Sequence, residues 1–336
     1  MCPKLQIGKI DPDILGELIS DYTHKEDRVL IGAGIGEDAA IIDMGSRYLV
    51  AKTDPITHVT SEIGHYAVNI NANDIAAMGG KPMWFLATIL MPAASSADEL
   101  KSIFSQLCRS CKALGISYCG GHTEVTRSVN NPVVIGQMLG EVERDHLKPT
   151  SQARLGDDLI MTKSSAIEAT AIIALEKEKE LRRYLENAVL MRAKKYLYDP
   201  GISIVKEASI VSSIKGVHAL HDPTEGGIFT GIFEMATASG LGVEVYHEKI
   251  PISVETRQLC EAYHIDPLGT FASGSLLIAV SPSVSEDVII RLATVGIRAA
   301  RIGVMMPQEG GLRLIRNGEI RPLPVYHQDE LSKIFG

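Results

Sequence analysis

The chain has 336 residues, 45% of them hydrophobic and 22% charged, a composition ordinary for a globular protein and a length sufficient for roughly two domains. Its 33 Lys and Arg stand against 41 Asp and Glu, a net charge of -8, which argues against a broad basic surface for nucleic acid; an anionic substrate would need a metal ion or local Lys or Arg. No uncharged apolar run reaches the ~18 residues that a membrane span requires, and the opening MCPKLQIGKIDPD lacks an apolar signal core, so the expected location is cytoplasmic.

Asp11 to Tyr22 reads as a short helix, and 29–31, 39–43 and 48–54 read as strands flanking the stretch RVLIGAGIGEDAAIIDMG. There Gly32, Gly34 and Gly36 lie between two apolar runs, with Glu37 and Asp38 directly behind them. Glycine turns expose backbone N–H groups to anions, whereas carboxylates repel bare phosphate; the two are reconciled when Mg2+ sits between carboxylate and phosphate. The sixth position of G-x-G-x-x-G is Glu37 and no G-x-x-x-x-G-K-[ST] occurs, so neither the dinucleotide fingerprint nor a P-loop is present. A plain glycine hairpin between strands accounts for the stretch equally well.

Asp54, after a strand and before Pro55, is either a turn starter or a further ligand. Ser61 is expected to cap a helix running to Met78, stopped by Gly79-Gly80. On that helix Asn71, Asp74 and Met78 share one side, and burying an Asn and an Asp requires partners, which favours a functional reading. After a strand at 83–91, a helix from Ser96 to Leu114 carries a stripe through Ile103, Leu107 and Cys111, which makes the C-R-S-C at 108–111 core packing rather than a redox or metal pair. Five cysteines, an odd number, at 2, 108, 111, 119 and 260 fit reduced thiols.

Strands at 116–119 and 132–142 follow, with a loop in CGGHTEVT whose His122, Thr123 and Glu124 either bind metal or phosphate or decorate a glycine turn. This order of elements implies an α+β layer, helices against a mostly antiparallel sheet. A boundary near 152 divides residues 1–151 from a second α/β unit, 152–336. There we expect helices at 165–175, 178–196 and 203–213, with EKEKELRR at 176–183 forming a solvated helical face. A strand at 217–220, a helix from Gly226 to Ser239 and alternating strands and helices to about 316 complete the unit, before an amphipathic tail. HDPTEGG presents a helix N-terminus beside Asp222 and Thr224; a simple cap explains part of this, but neither His221 nor the double glycine Gly226-Gly227.

In chain order GIGEDAA, TDPI, NANDIAAMGGKP, GGHTEVT and HDPTEGGI resemble the motif series of the PurM-like superfamily, which includes aminoimidazole ribonucleotide synthetase, the hydrogenase maturation protein HypE, thiamine monophosphate kinase and selenophosphate synthetase. HDPTEGG and GGHTEVT are most similar to the HypE type, and NDIAAMGGKP is shared with the thiamine phosphate kinases. The resemblance implies a PurM-like two-domain α/β fold, with an N-terminal sheet that forms an intersubunit barrel in a homodimer and with ATP in a cleft near the interface. It implies that Asp38, Asp54 and Asp74, with Glu37 in place of a first Asp, hold Mg2+ on the ATP phosphates. Gly34, Gly36, Asn71, Gly121, Gly226 and Gly227 would shape the nucleotide site. Asp222, Thr224 and His122 would act on the reacting phosphate or its acceptor, His122 standing where many members carry Asp.

HypE usually ends in Pro-Arg-Ile-Cys, whose cysteine carries the group to be dehydrated. Here the last residues are Lys333-Ile334-Phe335-Gly336, and nothing near Cys2 lowers a thiol pKa, so that chemistry is not expected on this tail. The implied activity is ATP-dependent phosphoryl transfer to an oxygen of an amide, acid or phosphate on a small molecule or carrier protein, with a maturation protein as partner. A kinase resembling the thiamine phosphate kinases, or a non-catalytic nucleotide-binding scaffold, is the alternative.

Overall fold

A computed structural model describes residues 10, 12–24, 26–34, 36–57, 59 and 61–335. Asp11, expected to open the first helix, Cys2 and Gly336 lie outside the described residues. The first half runs α1 (Pro12–Tyr22), β1 (Val29–Ile31), β2 (Ala40–Asp43), β3 (Tyr48–Ile56), α2 (Ile63–Ala77), β4 (Lys81–Pro92), α3 (Ala97–Leu114), β5 (Ser117–Thr126) and β6 (Val133–Val142). Its strands form one sheet in the order β1-β2-β3-β6-β4-β5, antiparallel except where β5 lies beside β4. Burial alternates along β4 and β6, so Phe85, Ala87 and Ile89 face the core with Val134 and Met138. On that face Gly136 and Gly140 admit α2: a Cβ there would lie 2.3 Å from Asn71 Nδ2 or 2.4 Å from Ile75 Cγ2.

The second half runs β7 (Asp158–Thr162), α4 (Ile167–Glu176), α5 (Glu178–Leu181), α6 (Asn187–Lys195), α7 (Val205–Val211), β8 (Val217–His221), α8 (Gly227–Ser239), β9 (Gly242–Tyr246), α9 (Val254–Tyr263), β10 (Leu277–Val280), α10 (Ser285–Thr294), β11 (Ala299–Met306), β12 (Leu312–Arg316), β13 (Glu319–Pro322) and α11 (Ser332–Phe335). A second sheet has the order β13-β12-β9-β11-β7-β10-β8. Its inner strands β7 and β10 are buried throughout: β10 is an unbroken apolar run, and in β7 the apolar Leu159 to Met161 lie between buried Asp158 and Thr162. α2 is buried along almost its whole length because the first sheet and α3 lie against it together with α7 and β8 of the second half.

Three expectations about elements are corrected. Ser61 does not cap α2: Glu62, at φ 56, stands at the N-cap without a side-chain bond, and Ser61 Oγ instead donates to Glu176 at 2.9 Å. The expected helix over 178–196 breaks after Leu181; Glu178 does pair with Arg182 at 2.8 Å, but Lys194 of α6 comes back to the same carboxylate, which a continuous helix would prevent. The expected loop in CGGHTEVT is strand. Cys119 is an extra residue in the β4–β5 ladder, and Gly121, where a Cβ would stand 1.9 Å from the Ala87 carbonyl oxygen, lets the strands close and run paired to Thr126.

In the single chain the first sheet is open, with β1 and β5 at its edges. Among the described residues Cys108, Cys111, Cys119 and Cys260 are free thiols, and no helix is long and apolar enough to cross a membrane.

Candidate functional site

Chain segments from both halves bring three carboxylates together. Asp38 closes the glycine loop ahead of β2, Asp74 lies in the last turn of α2, and Asp222 follows β8. All three are buried, and one oxygen of each lies within 4.8 Å of the others. Asp54 is joined to them through Lys52, two residues earlier on the same face of β3: the Lys52 ammonium stands 3.4 Å from Asp54 and 3.5 Å from Asp74. Asn71, one turn before Asp74, accepts the Asp54 backbone N–H at 2.9 Å and faces the Asp54 carbonyl at 3.3 Å. It positions Asp54 by tying β3 to α2.

On the far side His221 bridges two carboxylates, with Nδ1 at 3.0 Å from Asp38 and Nε2 at 3.1 Å from Glu234 of α8. The Thr150 hydroxyl lies 3.3 Å from Asp38. Burial alone would neutralise His221, yet Asp38 and Glu234 hold it protonated well above the usual histidine range. Lys52 behaves alike: burial disfavours its charge, and Asp74, Asp54, Asp38 and Asp222 outweigh that. Burial raises Asp74 and Asp222 well above the usual carboxylate range; Lys52 opposes this at Asp74, and His221 and Lys52 oppose it at Asp222. Glu37 is also raised by burial, against a lowering contact with Ser151.

These residues fit a hard divalent cation. Neither oxygen of Asp222 accepts a hydrogen bond, and Asp74 Oδ2 has none, meeting only the Lys52 charge at 3.5 Å. Unpaired buried carboxylates are costly, and an all-oxygen donor set is the kind Mg2+ takes. The compact trio includes Asp222, expected in a catalytic role, and leaves Asp54 and Glu37 at its margin.

The expected glycines differ in their surroundings. Gly36 has φ +82, and a Cβ on it would stand 3.2 Å from the Glu234 carbonyl oxygen, so it seats the loop on α8. A Cβ on Gly34 would meet the Glu37 side chain at 3.7 Å, an ordinary contact. Gly226 and Gly227 have φ +75 and +72, and side chains there would strike Thr230 and the Leu268 carbonyl. At the N-terminus of α8 three backbone donors are taken within the chain: Gly226 N–H donates to Asp329 at 2.8 Å, Gly227 N–H to Thr224 O and Phe229 N–H to Leu268 O.

His122 and Gly121 stand apart from the carboxylates. Asp54, Gly136, Ala87 and Gly121 form one cross-strand row, so Gly121 is three strand spacings, roughly 14 Å, from Asp54. His122 is exposed on β5 and lies 3.2 Å from Glu124. Sequence reasoning missed Lys52, Thr150 and Glu234 and left His221 unexplained. Lys52 was accessible from its spacing to Asp54 on a strand; Thr150 and Glu234 carried no local signal.

Asp54 and Thr224 also line a cavity of about 490 Å³ that adjoins the cluster. Fold and site thus define a two-domain α/β protein with a buried, metal-competent carboxylate cluster between its halves. The chain belongs to the AIR synthase-related protein family, whose N-terminal domain matches residues 36–142 and whose C-terminal domain matches residues 154–314. It is 25% identical over 311 residues to a putative hydrogenase expression/formation protein of Methanocaldococcus jannaschii, covering 89% of this chain and 90% of that one. It is 26% identical over 287 residues to the carbamoyl dehydratase HypE of Escherichia coli, covering 84% and 81%.

Among solved structures it is similar to a chain of a HypE–HypF complex (TM-score 0.75, 20% identity, 93% of this chain and 99% of that one). It is also similar to HypE in complex with ATP (TM-score 0.74, 21% identity, 95% and 96%) and to AaThiL complexed with AMPPCP and TMP (TM-score 0.72, 20% identity, 94% and 95%). At these identities the structural likeness establishes the fold.

Proposed function

We propose that the chain is a Mg2+-dependent, ATP-binding enzyme that transfers a phosphoryl group to an oxygen of an amide, acid or phosphate, in a role akin to that of HypE in hydrogenase maturation. The observation that carries this reading is the buried group Asp38, Asp74 and Asp222 with its unpaired oxygens. Support also comes from the similarity to HypE with ATP and to AaThiL with AMPPCP, and the HypE–HypF complex supports a maturation protein as partner.

Asp38, Asp74 and Asp222 would hold Mg2+, which when bound neutralises phosphate charge during transfer. Lys52 holds Asp54 and Asp74 and keeps a positive charge at the place where phosphate oxygens would arrive. Asn71 fixes the backbone at Asp54, and His221 fixes the carboxylate of Asp38. Asp54 and Thr224 share the cavity wall, so an acceptor oxygen seated in the cavity would face the cluster. A volume of about 490 Å³ favours a second reading within the same chemistry, a kinase of a small molecule, over a carrier-bound acceptor.

Calorimetric titration with ATP, with and without Mg2+, tests the proposal on the wild type and on Asp74→Asn. Binding is expected to require Mg2+ and to weaken at least roughly thirtyfold in the variant, the ~2 kcal/mol of a lost charged contact, with ADP formed on turnover. Binding without any ADP would put the scaffold reading first, and binding indifferent to Mg2+ and to Asp74 would end the proposal.

A further inference from the structure

The cavity beside the cluster has a wall of mixed character. Ile70, Ile172 and Phe271 make part of it apolar, while Asp54, Glu168 and Glu225 bring three carboxylates to it, and no Lys, Arg or His among the described residues lines it. Two side chains on this wall are almost wholly buried, Glu168 at 6% exposure and Tyr66 at 1%, and Glu168 Oε2 and the Tyr66 hydroxyl have no hydrogen-bond partner. Both groups belong to rigid helices that pack into the core, Tyr66 to α2 and Glu168 to α4.

A buried carboxylate with one oxygen unpartnered and only Ser273 to lower it is costly to keep charged, and a ligand that supplies a donor reduces that cost. Charge then decides the kind of donor. Lys52 already meets Asp54 at 3.4 Å, and an anionic ligand would add negative charge beside Glu168. A neutral hydroxyl would satisfy one oxygen and leave the carboxylate charge uncompensated. A protonated nitrogen does both, and the aromatic rings of Tyr66 and Phe271 on the same wall suit a cation. Burial pushes Glu168 up to about 7, partly offset by Ser273 and reinforced by Asp329 and Glu225, as expected for a carboxyl that lacks its counter-charge.

We propose that this cavity is the acceptor subsite and that it takes a small, partly apolar molecule bearing a protonated nitrogen, whose N–H groups meet Glu168 while its apolar body lies against Ile172 and Phe271. The acceptor role rests on the function proposed above; the preference for a cation does not.

Three size-matched probes, 2-phenylethylamine, 2-phenylethanol and phenylacetate, test it on the full chain by calorimetry and ligand-observed NMR without nucleotide. The amine is expected to bind at least roughly tenfold more tightly than the alcohol, and phenylacetate more weakly than both. This comparison needs no variant. Glu168→Gln, which keeps the volume, should bring the amine down to the level of the alcohol, whereas Asp222→Asn should weaken Mg2+-ATP binding and leave the amine unaffected. Equal binding of amine and alcohol to the wild type overturns the assignment, as does amine binding that survives Glu168→Gln and is lost in Asp222→Asn. If the amine preference holds and Mg2+-ATP binding fails, the acceptor role is overturned; if Mg2+-ATP binding holds and the amine preference fails, the cavity assignment alone is overturned.

Discussion

Burial lifts the Glu168 carboxyl from an ordinary 4.5 to about 7, against lowering contacts from Ser273 and with added repulsion from Asp329 and Glu225. Because the folded value lies above the unfolded one, the folded state binds the extra proton between these two pH values. That contribution is present in full below about pH 4.5 and is lost as pH rises through 7. Glu168→Gln cannot lose it, so the variant should match the wild type near pH 4 and exceed it by roughly 3 kcal/mol at pH 8, measured by urea unfolding at both pH values. An identical pH slope in the two proteins would refute the shift. Residues of this kind are only half legible in a sequence. Asp38 stood out behind a glycine loop, Asp222 ahead of a proline and Asp74 as a charged residue late in an apolar helix, whereas Glu168 sits in the plain helix IEATAIIALE and declares itself only by its burial.

At the scale of elements, α2 organises the site. Its Asn71 accepts the Asp54 N–H of β3 at 2.9 Å and donates to the Ala67 carbonyl of its own helix at 2.9 Å. Asn71→Ala strips a buried backbone donor of its partner and should destabilise the protein by roughly 2–3 kcal/mol, read as a shift in the denaturation midpoint. The same variant should weaken Mg2+-ATP binding in calorimetry, because Asp54 loses its anchor; unchanged stability would show that Asn71 is dispensable. α2 was readable from its apolar length and glycine stop. The strand character of GGHTEVT was not, because Gly120-Gly121 signals a turn locally, and only the close approach of β4 turns the same residues into a ladder.

For the whole molecule, β5 is the informative edge. Nearly all its ten residues are exposed, with Val125 at 63%, and an edge strand of this length, paired in the sheet with β4 alone, is a template for further pairing. We propose that two copies associate along it, the arrangement through which His122 could reach a site. Sedimentation at micromolar concentration should show a dimer, and Val125→Glu should shift it toward monomer; a wild-type monomer throughout the range would remove the dimer from the proposal.

The succession of strands and helices through most of the first half, a helix expected from Ser61 to Met78 and found at Ile63–Ala77, and the two-part layout followed from the sequence alone, because periodicity and turn residues act over a few positions. Which acids meet was decided by tertiary structure. His221 reaches Asp38 across 183 residues, Thr150 crosses 112, and His122, the histidine favoured at first, is carried to an outer edge by the order β3-β6-β4-β5. The reason is physical: local propensity sets where a chain turns, but long-range strand pairing and the burial of α2 between two sheets set which turns face one another.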